Sequence, residues 1–272
     1  MKNAYANMSE YAISSWTLAK RDLHSALQSI ATAGFSTVEL WADTIHFDPR
    51  TNVSTADVKK WLKTLHLSVH STHGPFRNFS SNLPVNEFRE YRQKLWHKTI
   101  EQCAEVNSPI MVVHGLDRKE YNFTNDEIDI LGESLADLCE YGRKHGVIIA
   151  LENIEKGNDP ANEIGSNLVD HRKNFSGIGL YYCLDIGHAV LNNVDIIDEI
   201  KVAGKELVSL HVHNNNGIDD SHLLPSEEGV IDWNYVYHEL RTTHGYEGQF
   251  VMEVYGGENP ENTLESIQNL FN

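Results

Sequence analysis

Imidazole and carboxylate side chains are concentrated in one stretch of the chain, residues 206–233. The stretch begins as an apolar strand and breaks at an Asn-Asn-Asn-Gly turn at 214–217. Its potential metal ligands are His211, His213, Asp219, Asp220, His222, Glu227 and Glu228. Both kinds of side chain donate lone pairs to divalent cations, so the stretch suits a metal site. A polar surface loop explains it equally well unless other strand ends supply matching ligands.

Similar residues stand at the ends of other predicted strands. The third to eighth strands end at, or contain near their end, His73, His114, Glu152, Asp185, His211 and Glu253. His188, Asp220 and His222 follow in the adjoining loops. One histidine at a strand end is usually a structural residue. A succession of such ends indicates a metal centre, because buried carboxylates are costly without cations or hydrogen-bond donors.

The segments that carry these residues alternate between strand and helix. Strands are predicted at 11–16, 37–41, 67–71, 109–113, 147–151, 180–184, 206–212 and 249–254. Helices are predicted at 22–30, from a cap at Ser54 or Thr55, and at 86–106, 125–145, 161–175, 194–202, 233–241 and 263–270. Several strands are apolar throughout, which is typical of a parallel sheet covered by helices.

The count of eight strands and eight helices favours a closed (β/α)₈ barrel over an open doubly wound sheet. The sequence also lacks a Gly-rich phosphate-binding fingerprint after the first strand. We therefore predict an α/β protein with one domain, a single (β/α)₈ TIM barrel over residues 1–272. The strand-end side chains are expected to converge at the carboxyl-terminal mouth, where TIM barrels place their active sites.

The composition restricts the partners. A formal net charge of −17 disfavours a nucleic acid partner, although cations at a metal centre reverse the local sign. The 3 cysteines form no disulfide framework and fit a reducing compartment. No signal peptide or membrane-spanning apolar run is found. We expect a cytoplasmic location, no membrane association and a small-molecule substrate; a homo-oligomer stays open.

Three blocks of sequence resemble the xylose isomerase-like TIM barrels. They are Cys183-Leu184-Asp185-Ile186-Gly187-His188, the Leu151-Glu152-Asn153 strand end, and the stretch from His211 to Trp233 with Asp220-Ser221-His222, Leu224-Pro225 and Ile231-Asp232-Trp233. That superfamily holds sugar phosphate isomerases and epimerases together with the AP endonucleases related to endonuclease IV. The loop of the third block is similar to the isomerase and epimerase branch.

The resemblance implies two sets of metal ligands. Mononuclear epimerases hold one Mn²⁺, Co²⁺ or similar ion, and the matching positions are Glu152, Asp185, His211 and Glu253. The endonuclease IV branch holds three zinc ions, and its five further ligands match His73, His114, His188, Asp220 and His222. All nine positions carry the expected residue type, so the implied cofactor is one to three divalent ions per chain, Zn²⁺ or Mn²⁺.

The chain also departs from the family pattern. Asn214 stands where an Asp is usual, and residues 226–229 replace a Gly-Glu-Gly turn. The acidic residue that ketose epimerases place soon after the fifth-strand Glu is missing, with Lys156 and Asn158 nearby instead. These departures bear on loop geometry and on the ketose reaction in particular.

The favoured interpretation is a metal-dependent isomerase or epimerase of a small sugar or sugar phosphate. Glu152 and Glu253 would be the catalytic acid and base beside a metal-polarised carbonyl. Substrate contacts are predicted for His188, for Arg77 as a phosphate clamp, and for Trp41 as a wall. A solvated cation at Arg77 and rim packing of Trp41 are the simpler explanations for those two residues.

The alternative is a multinuclear-zinc phosphodiesterase or AP endonuclease-type hydrolase. Two or three zinc ions would hold the attacking and leaving oxygens in line. Nine candidate ligands favour this alternative, whereas net acidity and the loop sequence disfavour DNA as the substrate. A non-catalytic binding module would leave the strand-end carboxylates without a role. Cys183 is predicted to face the core or a helix and to be inert, and each ligating imidazole is expected to have a carbonyl or carboxylate behind it.

Overall fold

The computed structural model describes residues 4–76, 85–115, 125–156, 165–226 and 229–272. Eight parallel strands follow one another around a closed barrel in chain order. They are β1 (Tyr11–Ser14), β2 (Thr37–Trp41), β3 (Ser68–His73), β4 (Ile110–His114), β5 (Ile148–Glu152), β6 (Tyr181–Asp185), β7 (Leu207–Val212) and β8 (Phe250–Met252). The predicted (β/α)₈ TIM barrel is therefore confirmed.

Helices connect the strands on the outside of the barrel. They are α1 (Leu23–Thr32), α2 (Thr55–Thr64), α3 (Val85–Val106), α4 (Asn125–His145), α5 (Leu168–Phe175), α6 (Ile186–Leu191), α7 (Ile196–Ala203), α8 (Trp233–His238) and α9 (Pro260–Asn269). The predicted cap is confirmed, because the Ser54 hydroxyl accepts the Asp57 N–H at 3.3 Å. Within the described ranges no helix combines the length and apolarity needed to cross a bilayer.

The helix predictions need correction at α5, whose start differs, and at α6, which was not predicted. The helix predicted at 161–175 is α5, which begins at Leu168, and residues 161–164 lie outside the described chain. The short helix α6 was not predicted. It starts directly after β6, where the Asp185 carboxylate accepts the His188 N–H at 2.7 Å. Six residues are too few to show a helical period, which is why the sequence pattern misses α6.

Alternation along the strands decides which side chains face the barrel interior. In β6, Tyr182 and Leu184 belong to the large apolar core beneath the helices. Cys183 lies in a second, small cluster inside the barrel with Ile110, Val112 and Ala150. Asp185 is two residues further along the strand and therefore points the same way as Cys183. The interior is thus apolar in this layer and polar at the carboxyl-terminal mouth.

The barrel closes between its first and last strands. Tyr11 of β1 is in register with Phe250 of β8, and Ile13 with Met252. β8 has only 3 residues, so Glu253 lies just after it, not inside a strand of 249–254 as predicted. Its N–H still donates to the Val212 carbonyl at 3.2 Å, which keeps the residue beside the end of β7.

Candidate metal centre

The carboxyl-terminal ends of β3 to β8 bring the predicted ligands into three neighbouring groups, two of which share Glu152. Within each group the ligand atoms lie within 4.8 Å of one another. The central group is Glu152, Asp185, His211 and Glu253. The His73 group is His73, His114 and Glu152. The Asp220 group is His188, Asp220 and His222. All nine predicted positions are thus found in one cluster, and their roles as ligands remain predictions.

The central group is arranged around one nitrogen atom, Nδ1 of His211. This atom lies 3.0 Å from Glu152 Oε1 and 3.2 Å from Glu253 Oε2. The nearer oxygen of Asp185 is 3.9 Å away. All four side chains are buried, and three carboxylates at this depth require positive charge close by.

The His73 group shares one residue with the central group. Nε2 of His73 and Nε2 of His114 each lie 3.2 Å from Oε2 of Glu152. The other oxygen of Glu152 faces His211 at 3.0 Å. Glu152 therefore presents one oxygen to each of two donor groups, which is the arrangement of a bridging carboxylate.

The Asp220 group adjoins the central group, since Nδ1 of His188 lies 3.6 Å from Oδ1 of Asp185. Asp220 Oδ2 is 3.3 Å from Nε2 of His188 and 3.0 Å from Nε2 of His222. His222 adopts a left-handed backbone conformation with φ of 46°, which is uncommon for a residue with a β-carbon. A Trp16 ring packs on its imidazole at 4.7 Å between centroids.

Four of the five candidate histidine ligands have an acceptor at the other ring nitrogen, as expected for ligating histidines. The contacts are His73 Nδ1 with the Gly74 carbonyl at 3.0 Å, His188 Nδ1 with the Asn153 carbonyl at 2.9 Å, His222 Nδ1 with the Glu253 carbonyl at 2.7 Å, and His211 Nε2 with Glu39 Oε2 at 3.2 Å. Each acceptor holds a proton on that nitrogen. The remaining nitrogen therefore faces the carboxylates of the centre and is the one available to a metal ion.

Three residues outside the nine predicted ligand positions support the centre. Glu39 is a buried carboxylate inside the apolar strand β2, and that position was the only signal of its role. Asn153 is fully buried and pairs twice with the Asp185 backbone, since Nδ2 donates to its carbonyl at 2.9 Å and Oδ1 accepts its N–H at 2.8 Å. His213 contacts both oxygens of Asp185 at 3.0 Å.

Cys183 lies closer to the centre than its predicted place in the core suggested. Its sulfur and one ligand atom each of Glu152 and His211 lie within 4.8 Å of one another. Burial raises the pKa of the Cys183 thiol to about 12. The protonated thiol is a poor ligand, which agrees with the prediction that this cysteine is inert.

Imidazoles and carboxylates of the centre shift one another's pKa. Burial opposes ionisation of Glu152, but His211 and His114 outweigh it and hold the pKa of that carboxyl well below its usual value. Burial likewise disfavours the charged form of His222, yet Asp220 raises the pKa of this imidazole to about 9. The imidazoles thus act as counter-ions, and a bound cation would displace their protons.

The residues present fit divalent cations. Nitrogen and oxygen donors in this proportion suit zinc or manganese, with imidazole-rich groups favouring zinc. Oδ1 of Asp220 is buried and has no hydrogen-bond partner among the described residues. Because buried polar atoms are nearly always satisfied, this oxygen is best explained by a cation that it would ligate.

The other predicted site residues lie either outside the three donor groups or outside the described residues. Trp41 is buried, with 2% of its surface exposed, and packs edge-on against His46. Its contact with substrate stays a prediction, as does that of His188. Arg77, Asn158, Glu227 and Glu228 lie outside the described residues. Asp219 is exposed and belongs to none of the three groups.

Asn214, which replaces the usual Asp, organises the loop after β7. Its Oδ1 accepts the N–H groups of Asn215 at 2.9 Å and Ile231 at 3.0 Å. The backbones of Asn214 and Leu223 also pair in both directions. The loop therefore folds back on its own first residue, and this fixes Asp220 and His222 over the mouth.

A closed eightfold barrel with clustered imidazoles and carboxylates at its carboxyl-terminal mouth defines a TIM-barrel protein with a candidate metal centre. The chain belongs to the xylose isomerase-like TIM barrel family, whose model matches residues 27–272. Uncharacterized protein MJ1311 of Methanocaldococcus jannaschii is 24% identical over 248 residues, 90% of this chain and 83% of that protein. MJ1614 of the same organism is 26% identical over 178 residues, 63% of this chain and 66% of that protein.

Solved structures share the fold at low sequence identity. A D-tagatose 3-epimerase-like protein is 21% identical with a TM-score of 0.79, and the match covers 96% of both chains. A D-psicose 3-epimerase is 15% identical with a TM-score of 0.76 and the same coverage. A putative xylose isomerase from Rhodospirillum rubrum is 16% identical with a TM-score of 0.80, covering 96% of this chain and 97% of that chain.

Proposed function

We propose that the chain is a divalent-metal-dependent isomerase or epimerase of a small sugar or sugar phosphate. The observation that carries this proposal is the convergence of Glu152 and Glu253 on one buried point, Nδ1 of His211, from two different strand ends. Two carboxylates on either side of a metal-binding point can exchange protons with adjacent carbons of one substrate. Membership of a family rich in sugar isomerases and epimerases supports the same reaction class.

The chain's own residues would act as follows. Glu152 and Glu253 are ionised at neutral pH, because His211 holds the pKa of both carboxyls below the usual value against the effect of burial. One carboxylate removes the proton next to the substrate carbonyl and later releases it to solvent. The other takes up a proton from solvent and delivers it to the substrate, so that the proton count is restored. A bound divalent ion, held by the central group, supplies the Lewis acidity that polarises the carbonyl. We propose that His188, near the start of α6, contacts a substrate oxygen.

A second candidate function is hydrolysis of a phosphate ester at a multinuclear zinc centre. The observation that favours it is the pair of additional donor groups, which an isomerase with one ion does not need. Glu152 would bridge the ions of the central group and the His73 group. The acidity of the chain argues for a small ester rather than DNA.

Metal stoichiometry combined with paired assays distinguishes the two functions. Freshly purified, chelator-free protein would be analysed for bound metals and then assayed on a panel of ketoses and ketose phosphates and on bis(nitrophenyl) phosphate. One ion per chain with epimerisation supports the isomerase. Two or three ions with ester cleavage and no sugar turnover would replace it with the hydrolase. Protein that binds no divalent ion refutes both.

The other properties follow from the same proposal. The substrate is a small molecule, and neither a nucleic acid nor a membrane is a proposed partner. The three cysteines are all unpaired and buried, which agrees with a reducing compartment such as the cytoplasm. Gel filtration with light scattering would decide whether the chain forms a homo-oligomer.

A further inference from the structure

His213 occupies a position between two of the donor groups but belongs to neither. It follows β7 and has no exposed surface. Its Nε2 lies 3.0 Å from each carboxylate oxygen of Asp185 in the central group. Its ring stacks on His222 of the Asp220 group, with 3.9 Å between centroids and 22° between planes. One imidazole therefore contacts a ligand candidate on each side.

The space for this ring exists only because residue 187 is glycine. A β-carbon on Gly187 would lie 2.0 Å from Cε1 of His213 and 2.6 Å from its Nε2. The φ angle of Gly187 is not in the left-handed region, so backbone conformation does not require glycine here. The Asn215 side chain also donates to the Gly187 carbonyl at 3.0 Å, joining the loop after β7 to the start of α6. The fit of the ring against α6 thus accounts for the glycine.

We infer that His213 is a positioning residue that couples the central group to the Asp220 group. Its N–H fixes the carboxylate of Asp185 through a charge-assisted hydrogen bond. Its ring face fixes the plane of the His222 imidazole. The inference rests on the proposed metal dependence, and it requires an ion at the Asp220 group in addition to that of the central group.

Two substitutions separate the hydrogen bond from the stacking. His213→Phe keeps a flat ring beside His222 but removes the donor to Asp185. His213→Gln keeps an N–H donor but removes the ring. Gly187→Ala displaces the ring without changing it. Ile218→Ala, at a side chain that is 84% exposed in the same loop, serves as the matched control.

The test is zinc titration of metal-free protein against a competing chelator, with circular dichroism to establish folding. We expect His213→Phe to weaken the ion bound by the central group about 10- to 100-fold, and His213→Gln to weaken the ion bound by the Asp220 group by a similar factor. Assignment of each ion comes from Asp185→Asn and His222→Asn proteins titrated in parallel. Gly187→Ala should weaken both ions, and Ile218→Ala neither.

The outcomes are distinguishable from failure of the proposed function. If wild-type protein binds no zinc, both the proposed metal dependence and the inference about His213 are refuted. Wild-type protein with one zinc ion overturns the coupling while leaving the isomerase intact. If wild-type protein binds two or more ions, two results would show that His213 is only a structural residue. One is unchanged zinc affinity in the folded variants. The other is the same loss of affinity at both ions in His213→Phe and in His213→Gln.

Discussion

Oε2 of Glu39 lies 3.2 Å from Nε2 of His211, in the interior of the barrel where neither side chain has any exposed surface. The same oxygen accepts the Ser71 hydroxyl at 2.7 Å. A carboxylate behind an imidazole fixes the tautomer, so the N–H of His211 points to Glu39 and Nδ1 faces the central group. The buried charge on β2 is thereby explained by the centre above it.

Replacing Glu39 tests this relationship. Glu39→Gln removes the charge behind His211 with little change of shape, and we expect zinc affinity of the central group to fall about 10- to 100-fold. Competition with a chelator measures the change. Ser71→Ala, which removes only the second contact of Glu39, should have a much smaller effect. Equal zinc affinity in Glu39→Gln and wild-type protein would show that the pair is not part of the centre.

Glu152 should matter more for metal content than any other donor, because it serves two groups. We expect Glu152→Gln to lose the ions of the central group and the His73 group, Asp185→Asn to lose the central ion, and all activity to disappear in both. The barrel should remain folded, since its apolar core is independent of the centre. Elemental analysis and circular dichroism measure these outcomes. Glu206→Gln, at the opposite end of the barrel, is the control, and full metal content in both centre variants would refute the ligand assignment.

Tyr255 is expected to bind substrate without affecting the metals. It is 56% exposed, and its ring lies 6.1 Å from that of Trp16, which packs on His222. An aromatic contact contributes about 0.5–1.5 kcal/mol. Tyr255→Ala should therefore raise KM about 2- to 10-fold for the substrate found in the paired assays, with unchanged metal content. Tyr235→Ala, an exposed aromatic on α8, should leave KM unchanged, and an equal effect of both would argue against a specific contact.

Glu199 predicts a pH dependence of stability away from the centre. Burial raises the pKa of this α7 carboxyl to about 7 from 4.5, although the Leu168 N–H at the start of α5 donates to it. The folded protein therefore holds this proton more tightly than the unfolded chain. The stability that Glu199 contributes is complete below pH 4.5 and is lost as the pH rises through about 7.

Glu199→Gln stays neutral at every pH and so escapes this loss. We expect the Tm of the variant, relative to that of wild-type protein, to rise by at least about 2 °C between pH 5 and pH 8. The measurement uses metal-free protein with a chelator present, so that the centre contributes equally to both. Glu265→Gln on α9, an exposed carboxylate, is the control. A constant difference in Tm across the pH range would contradict the prediction.

The strand-end ligands could be predicted from the sequence because two simple rules place them. Apolar runs identify the strands, and parallel strands in a barrel end at one mouth. Asp185 and Glu152 were therefore predicted to lie close together although they are far apart in the chain. The carboxyl-terminal ends of β3 to β6 were predicted one or two residues too early, because a polar side chain at the last position of each strand interrupts the apolar run.

The supporting residues could not be predicted in the same way. Glu39 and His213 act through side-chain contacts whose partners are set by barrel closure, and no local pattern in the sequence specifies such contacts. His213 lies in the ligand-rich stretch 206–233, but spacing alone does not distinguish a ligand from a residue behind one. The start of α6 is likewise decided by Asp185, which both begins the helix and faces the centre.

The closure of the barrel between β1 and β8 has a consequence for biosynthesis. Glu253 follows β8, and β8 is held in place by β1 and β7, from opposite ends of the chain. During translation His73 and His114 leave the ribosome long before Glu253, so a growing chain offers scattered imidazoles but no complete centre. Loading with metal in the cell should therefore follow folding, and the metal-free barrel must survive as a discrete species until an ion reaches its mouth.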